Sequence, residues 1–345
     1  MEKCSKLFFL AILLINLGGC RKDKELFPGE HLPFSNGIFS LELISTNLPE
    51  ETIDVNFFDR NEVIALTFDG KIFKTLDAGN TWKLTYSMSG FPPFVESLFI
   101  TEDIGFVVGG KSLCFGTGCI PPGGIVLRTV DRGENWSVVN YVPNGETLAI
   151  EINDHGELFV ISNSTAYTIS KSSDQGQTWE IVDSIPFVMQ DISFHENRGY
   201  VIGEDGNVAI SQDYGVSWET SQEFDALYGT ELDIAGDVGY CIQNLRQVYV
   251  SNDYGNNWIP AEVSGNRSYV ILDISPELCL IFGAGRYSGG DYGSYWGGVK
   301  YTTDSGISWK EHEFNDLGVI TGASLYHENY GYLVSGSKLI HLTIF

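Results

Sequence analysis

An aromatic, glycine-rich stretch near the C-terminal end, residues 284–298, is the segment of the chain best suited to recognising a ligand. It holds the one tryptophan that lies outside a repeated motif described below. Its candidate ligand- or partner-binding residues are Arg286, Tyr287, Asp291, Tyr292, Tyr295 and Trp296. Aromatic rings on such a loop suit a sugar ring or a protein surface, with the arginine and the aspartate fixing orientation. The structural alternative is a loop that packs its own aromatic rings over the fold.

A second stretch, residues 111–124, contains Cys114 and Cys119. Outside the cytoplasm such a closely spaced pair most often forms a local disulfide, which we expect here. A metal held by the two thiols is the alternative, but no histidine lies nearby in the sequence. Cys241 and Cys279 lie in apolar runs and are expected to be separate buried thiols.

Carboxylates recur in six copies of one motif, S/T-x-D-x-G-x-x-W, which resembles the Asp-box. The motif aspartates are Asp77, Asp131, Asp174, Asp213, Asp253 and Asp304. Because successive copies lie 39 to 54 residues apart, these carboxylates do not form one metal or catalytic site. The aspartate instead suits hydrogen bonds within its own turn, the glycine a positive φ, and the tryptophan apolar packing. We therefore expect a structural role for all six.

Other catalytic and metal-binding patterns do not occur in the sequence. There is no G-x-S-x-G, no phosphate-binding loop and no H-E-x-x-H. His195 and His327 hold the same position in two repeats, which is typical of consensus turn residues. The sequence therefore predicts no catalytic residue, no metal and no cofactor.

The repeats predict the fold. Each unit of roughly forty residues contains four strand-like segments, which is typical of a propeller blade. Six motif copies give six blades, and residues 319–345 supply three more strands. The alternating segment 38–44 at the other end of the chain would complete a seventh blade and close the ring. We predict an all-β, seven-bladed β-propeller over residues 37–345, with six or eight blades as alternatives.

Two repeats carry insertions, at residues 111–124 and 284–298, between their second and third strands. In an antiparallel four-stranded blade, these loops lie on the same face as the connections between blades. The insertions belong to blades two and six, which stand nearly opposite each other in a ring of seven. A shared concave site on this face is therefore geometrically plausible.

The N-terminal residues predict export and lipid anchoring. Lys3 and Lys6 precede an apolar run that is too short to span a bilayer comfortably, as in a secretory signal. The following Leu17-Gly18-Gly19-Cys20 resembles the bacterial lipobox, in which the cysteine is acylated. We expect residues 1–19 to be a lipoprotein signal peptide, and residues 20–36 to be the lipidated Cys20 and a tether. An ordinary cleaved signal is the alternative.

The charge of the chain bears on its partners. It has 45 acidic and 20 basic residues and a formal net charge of −25. Such a surface repels phosphate backbones, which excludes nucleic acid as the expected partner. We expect the protein to be a monomer in the cell envelope, anchored by lipid in the outer membrane on either the periplasmic face or the cell surface.

The repeats resemble those of sialidases, xyloglucan-degrading glycosidases, the sortilin ectodomain and a photosystem II assembly-factor family. A sialidase would carry an Arg-Ile-Pro signature, which does not occur. The glycosidases use two facing propellers with a carboxylate pair, for which Glu204, Asp205 and Asp291 would be the acids to test. The blade pattern looks most like the assembly-factor family, whose members bind a membrane-protein precursor through an arginine patch. Here Arg198, Arg246, Arg267 and Arg286 are scattered among acidic residues, so the photosystem role does not carry over.

The resemblance and the anchor together predict a non-enzymatic envelope scaffold that recognises a protein partner. The alternative is a surface lipoprotein that binds or hydrolyses glycans.

Overall fold

Every regular element in the described part of the chain is a β-strand. The computed structural model describes residues 32–345 except 51, 60, 89–93, 111–112, 116–117, 121–122, 223–228, 244–246, 264–267, 288–294 and 328. The predicted signal peptide and most of the predicted tether lie outside these residues. Within them, no helix is long and apolar enough to cross a membrane.

The strands, in chain order, are β1 (Phe34–Ser35), β2 (Phe39–Ser45), β3 (Thr52–Phe57), β4 (Val63–Thr67), β5 (Lys71–Thr75), β6 (Lys83–Ser87), β7 (Phe94–Phe99), β8 (Gly105–Gly109), β9 (Leu113–Phe115), β10 (Gly118–Ile120), β11 (Gly123–Thr129), β12 (Ser137–Pro143), β13 (Glu146–Ile152), β14 (Leu158–Asn163), β15 (Tyr167–Ser172), β16 (Glu180–Ile185), β17 (Met189–His195), β18 (Arg198–Gly203), β19 (Asn207–Ser211), β20 (Glu219–Gln222), β21 (Gly229–Ala235), β22 (Val238–Gln243), β23 (Gln247–Ser251), β24 (Ile259–Pro260), β25 (Ser268–Asp273), β26 (Cys279–Tyr287), β27 (Tyr295–Thr302), β28 (Lys310–Phe314), β29 (Gly322–His327), β30 (Tyr330–Ser335) and β31 (Lys338–Ile344).

Seven antiparallel sheets form the blades of a β-propeller, as predicted. Blades one to six are β3–β6, β7 with β8, β11 and β12, β13–β16, β17–β20, β21–β24 and β25–β28. Blade seven joins β29, β30 and β31 from the C-terminal end to β2 from the N-terminal end, with Leu41 paired to Leu342. The predicted closure of the ring by an N-terminal strand is confirmed. The short strand β1 pairs with the outer edge of β2 and makes this sheet five-stranded.

Apolar runs place the second strand of each blade at its centre. Every residue of β4, β8, β14 and β22 is buried, because these strands are covered on both faces by the neighbouring blades. The clusters of buried side chains accordingly bridge blades. Ile64 and Leu66 of blade one, for example, pack in one cluster with Phe94 and Val107 of blade two. The core of the protein therefore lies between the blades.

The first strands of the blades surround a central channel. Each first strand contacts the first strand of the next blade, and β29 of blade seven contacts β3 of blade one, so the contacts close into a ring. Six of the seven first strands carry a β-bulge near their start, for example between Thr52 and Asp54 in β3 and between Phe94 and Glu96 in β7. Because a bulge inserts one residue into a strand, it changes which side chains point into the channel.

Candidate functional site

The six motif aspartates use their carboxylates within their own turns. In blade three, Ser172 and Thr178 donate hydroxyl hydrogen bonds to opposite oxygens of Asp174 (2.8 and 2.6 Å), and the Thr178 N–H donates a third (2.8 Å). The bonds from Thr178, followed by those from Ser172 and Gln177, lower the pKa of Asp174 to about 2. The residues two before and four after the aspartate donate corresponding bonds in the other five turns, where the side-chain amides of Asn135 and Asn257 replace the second hydroxyl in two of them. These turns surround Asp77, Asp131, Asp213, Asp253 and Asp304. These carboxylates hold turns together.

Both insertions lie where the sequence places them, between the second and third strands of blades two and six. The insertion of blade two folds into the two-stranded ladder β9–β10, in which the backbone of Cys114 pairs directly with that of Cys119. This register brings the two residues opposite each other, and the disulfide itself stays a prediction. Cys241 and Cys279 are free and buried, as expected.

The insertion of blade six lengthens β26 and β27 into an extended ladder that pairs Tyr287 with Tyr295. Asp291 and Tyr292 lie outside the described residues, and the side chains of Arg286, Tyr287 and Tyr295 are not described. Trp296 is partly buried at the base of the insertion. The recognition role of these six residues therefore stays a prediction, on a loop whose place in the fold is confirmed.

A ring of carboxylates in the central channel is the feature that the sequence reasoning missed. Four first strands carry an acid directly after the bulge, two residues beyond the first residue of the strand. These acids are Asp54, Glu96, Asp191 and Glu231. In all four blades the residue that pairs with the acid lies within two positions of the end of the second strand. The four acids therefore lie toward the face that carries the insertions. The signal in the sequence is an acid recurring near the start of four first strands.

Each of these four carboxylates accepts a hydrogen bond from the backbone of the next blade. The donors are the N–H groups of Ser97 to Asp54 (3.1 Å), Ile150 to Glu96 (2.9 Å), Leu232 to Asp191 (2.8 Å) and Ile271 to Glu231 (2.8 Å). In every case the donor lies one residue after the position of its own first strand that corresponds to the acid, which is the position directly after the bulge. A first strand has a free edge along the channel, and the carboxylates satisfy N–H groups that would otherwise lack a protein acceptor. These four bonds join blade one to two, two to three, four to five and five to six.

Two further acids belong to first strands, Glu151 of β13 and Asp233 of β21, each two residues beyond the position that follows the bulge. Burial gives these six channel acids unusual pKa values. Desolvation raises the pKa of Glu151 to about 8, of Asp191 to about 7, and of Asp54 and Asp233 to about 6. Desolvation also raises the pKa of Glu96 and Glu231 well above the usual range, and repulsion from Asp191 adds to both. These carboxyls lie on first strands that surround one channel, and there they repel one another. Their side chains keep some surface open to it, although protein surrounds them.

Glu204, Asp205 and His195, which the sequence analysis singled out, lie in a turn or next to one, since His195 is the last residue of β17. Glu204 and Asp205 lie in the turn between β18 and β19, where the Asn207 N–H donates to the Glu204 carbonyl (3.2 Å). His195 accepts a hydrogen bond at Nε2 from the Gly236 N–H of the next blade (3.0 Å). Among the described residues, no group of three or more His, Cys, Asp or Glu side chains is arranged to hold a metal ion.

Comparison with solved structures supports the propeller fold. The protein matches solved structures of YCF48 bound to a D1 peptide (TM-score 0.63, 17% identity, 92% of this chain and 100% of that chain) and of a GH74 xyloglucanase from Xanthomonas campestris (TM-score 0.61, 14% identity, 87% of this chain and 53% of that chain). A streptogramin B lyase structure matches with a TM-score of 0.64 at 11% identity, over 90% of this chain and 100% of that chain. The shared property is the propeller fold. At these identities the matches carry no activity with them.

Sequence comparison gives a more limited result. The xyloglucanase Xgh74A of Acetivibrio thermocellus is 28% identical to the chain over 203 residues, which are 54% of this chain and 22% of that enzyme. The chain thus matches less than a quarter of the length of this curated relative. No family model matches the chain.

Proposed function

We propose that the protein is a lipid-anchored cell-envelope propeller that binds a protein partner and catalyses no reaction. The observation that carries this proposal is the convergence of three features on one face. This face holds the β9–β10 ladder, the lengthened β26–β27 ladder and the end of the channel that contains Asp54, Glu96, Asp191 and Glu231. The solved propeller bound to a D1 peptide is a precedent for peptide binding by this fold.

The charge of the protein indicates the kind of partner. With a net charge of −25, the protein attracts basic segments and repels acidic ones over the distance that salt screening allows. Complementary charge would raise the rate of association more than the final affinity. We therefore propose a partner that presents a basic segment to the insertion-bearing face. Of the six predicted residues, the three tyrosines and Trp296 would supply aromatic contacts, and Arg286 and Asp291 would fix orientation.

The partner is tested by recovery from membranes. Full-length tagged protein should be cross-linked in intact cells and purified in detergent, and Trp296→Ala should lose the cross-linked partner because a central aromatic side chain often contributes about 2 kcal/mol or more to binding. Tyr254→Ala is the matched control, since Tyr254 is an aromatic residue with 42% exposure on a motif turn of the opposite face. Equal recovery by both folded variants, or no partner with the wild type, would contradict the proposal.

Lipid anchoring is tested separately from partner binding. Cys20→Ala should move the protein from the membrane fraction to the soluble fraction and abolish incorporation of labelled fatty acid, because the acyl chains supply the membrane affinity. Cys241→Ala is the control, since Cys241 is a buried thiol of the propeller. Retention of label and of membrane association by Cys20→Ala would contradict the anchor.

A glycan-active protein is the second candidate, and the sequence match to the xyloglucanase favours it. Hydrolysis of xyloglucan by the full-length protein, lost on Glu204→Gln or Asp291→Asn, would replace the first proposal. Absence of hydrolysis by protein that is shown to be folded would support the first proposal, a non-enzymatic binding protein.

A further inference from the structure

A groove between blades seven and one is a second candidate binding site, at a distance from the insertions in the chain. Its volume is about 440 Å³, which lies in the range of small-molecule sites, about 300 to 1,000 Å³. Its lining includes Asn47, Glu50, Asp69, Lys71, Phe73 and Trp82. The groove lies at the junction where the N-terminal strand closes the ring.

One wall of the groove is the connection from β2 to β3, and internal bonds fix it. Leu48 is buried, and its N–H donates to the Ser337 carbonyl of blade seven (3.1 Å). The Thr52 hydroxyl donates to the Pro49 carbonyl (2.7 Å). Asn47 and Glu50 are exposed between these fixed points. The wall is therefore formed before any ligand arrives, which lowers the entropic cost of binding.

The opposite wall is the turn between β4 and β5. The Thr67 hydroxyl donates to Asp69 Oδ1 (2.6 Å), and Lys71 Nζ forms an ion pair with the other carboxylate oxygen. Desolvation raises the pKa of Asp69, but the bonds from Lys71 and Thr67 outweigh it and keep the pKa below the usual value. Both charged side chains are about two-fifths exposed (40% for Lys71 and 42% for Asp69). The wall thus presents a fixed acceptor beside a fixed donor.

Aromatic rings supply the remaining surface. Phe73 and Trp82 are partly buried and pack against the core cluster of blades seven and one, while part of their surface lines the groove. The groove thus combines aromatic surface with carboxylate, amide and ammonium groups, a combination that suits a pyranose ring. Such a ring has an apolar face of C–H groups, and its hydroxyls each donate and accept hydrogen bonds.

We propose that this groove binds a neutral oligosaccharide. Lys71 offsets only one of the two carboxylate charges of Glu50 and Asp69, so one negative charge remains in the groove. This charge and the acidity of the whole protein disfavour an anionic sugar. A purely apolar ligand would desolvate the exposed Asn47 amide and the exposed part of the Asp69–Lys71 ion pair without offering new hydrogen bonds. Both walls lie on the insertion-bearing face, but no residue of the groove belongs to an insertion, so variants of the groove leave the residues proposed to bind the protein partner unchanged.

The test is isothermal titration of the full-length protein in detergent with neutral hexasaccharides: β-1,4-linked glucose, α-1,4-linked glucose and β-1,4-linked mannose. At least one should bind, and Asn47→Ala and Lys71→Ala should each raise its Kd by about 3- to 10-fold, the effect of one hydrogen bond. Trp82→Phe should also weaken binding. The control is Trp179→Phe, which changes the equivalent motif tryptophan of blade three and lies outside the groove.

Three results would overturn the proposal. These are no binding of any neutral hexasaccharide by folded protein, binding that the groove variants leave unchanged, and tighter binding of hexagalacturonate than of every neutral sugar. Displacement of the sugar by a lysine-rich peptide, with a Kd for the peptide that rises in Asp69→Asn and falls in Lys71→Ala, would also overturn it and would assign the groove to a basic peptide. The titration uses variants of the groove and the partner test uses Trp296→Ala, so failure of one proposal can be told from failure of the other.

Discussion

The propeller should lose thermal stability as the pH rises from 5 to 9, which is unusual for a protein rich in carboxylates. The channel acids have raised pKa values in the folded protein, about 6 for Asp54 and Asp233, about 7 for Asp191 and about 8 for Glu151. In the unfolded chain these carboxyls ionise near pH 4. Between about pH 4 and pH 8 the folded protein therefore binds more protons than the unfolded chain, so the free energy of unfolding falls as the pH rises.

The size of this effect follows from the number of groups involved. A difference of one bound proton changes the free energy of unfolding by about 1.4 kcal/mol per pH unit. Several channel acids contribute over this range, so we expect a total loss of several kcal/mol between pH 5 and pH 8. The motif aspartates act in the opposite sense at lower pH. Their pKa values are lowered, to about 2 for Asp174, so their contribution is lost as the pH falls through that value.

Thermal unfolding followed by circular dichroism at pH 5, 7 and 9 tests this expectation. Glu151→Gln should flatten the pH dependence and raise the midpoint above that of the wild type at pH 9, because the amide keeps an acceptor for the Ile152 N–H without a charge. Glu180→Gln is the matched control, an exposed acid in the same blade. A midpoint that rises from pH 5 to pH 9, or equal curves for the two variants, would show that the channel acids are not desolvated.

The blades could be predicted from the sequence because each motif turn is a local structure. The hydroxyl of Ser172, the carboxylate of Asp174 and the amide of Thr178 lie within seven residues, so their bonds need no other part of the chain. Counting these turns gave six blades. The seventh followed because residues 38–44 have the alternating pattern that an outer strand requires, and this segment pairs with β31 as expected.

The channel ring could not be predicted in the same way. Side chains alternate between the two sides of a strand, and the bulge between Thr52 and Asp54 shifts that alternation by one residue. The composition of β3 does not show this shift. The pKa of Glu96, moreover, depends on Asp191, 95 positions later, which shares the channel only once the ring has closed. The groove at Trp82 likewise exists only where the two ends of the chain meet.

The contact between blades at the motif turns gives the second large effect. Gly176 has a φ of +78°, and a Cβ built on it would lie 2.3 Å from Cε1 of Phe106, a fully buried residue in the second strand of the preceding blade. Gly156 has nearly the same φ, +74°, but a Cβ there would meet no atom within 4 Å. The two glycines lie in the same blade. They therefore separate backbone strain from steric contact.

We expect Gly156→Ala to lower the free energy of unfolding by about 1 to 2 kcal/mol, the cost of a left-handed conformation for a residue with a Cβ. Gly176→Ala should lower it by a further 1 to 3 kcal/mol or so, because the benzyl group of Phe106 has no open space into which to move. Urea unfolding, followed by tryptophan fluorescence, measures both. If both variants lower the free energy of unfolding equally, the blades can move apart at this point with no energetic cost, and the contact with Phe106 adds nothing.

A double-mutant cycle with Phe106→Leu identifies the contact itself. Phe106→Leu alone should destabilise the protein, because it removes buried volume between blades two and three. Combined with Gly176→Ala it should cost less than the sum of the two single changes, since the shorter side chain leaves space for the new methyl group. Combined with Gly156→Ala the costs should simply add. Additivity in both pairs would place the strain of Gly176→Ala in the turn, and the requirement for glycine in these motifs would then be a property of the backbone rather than of the packing between blades.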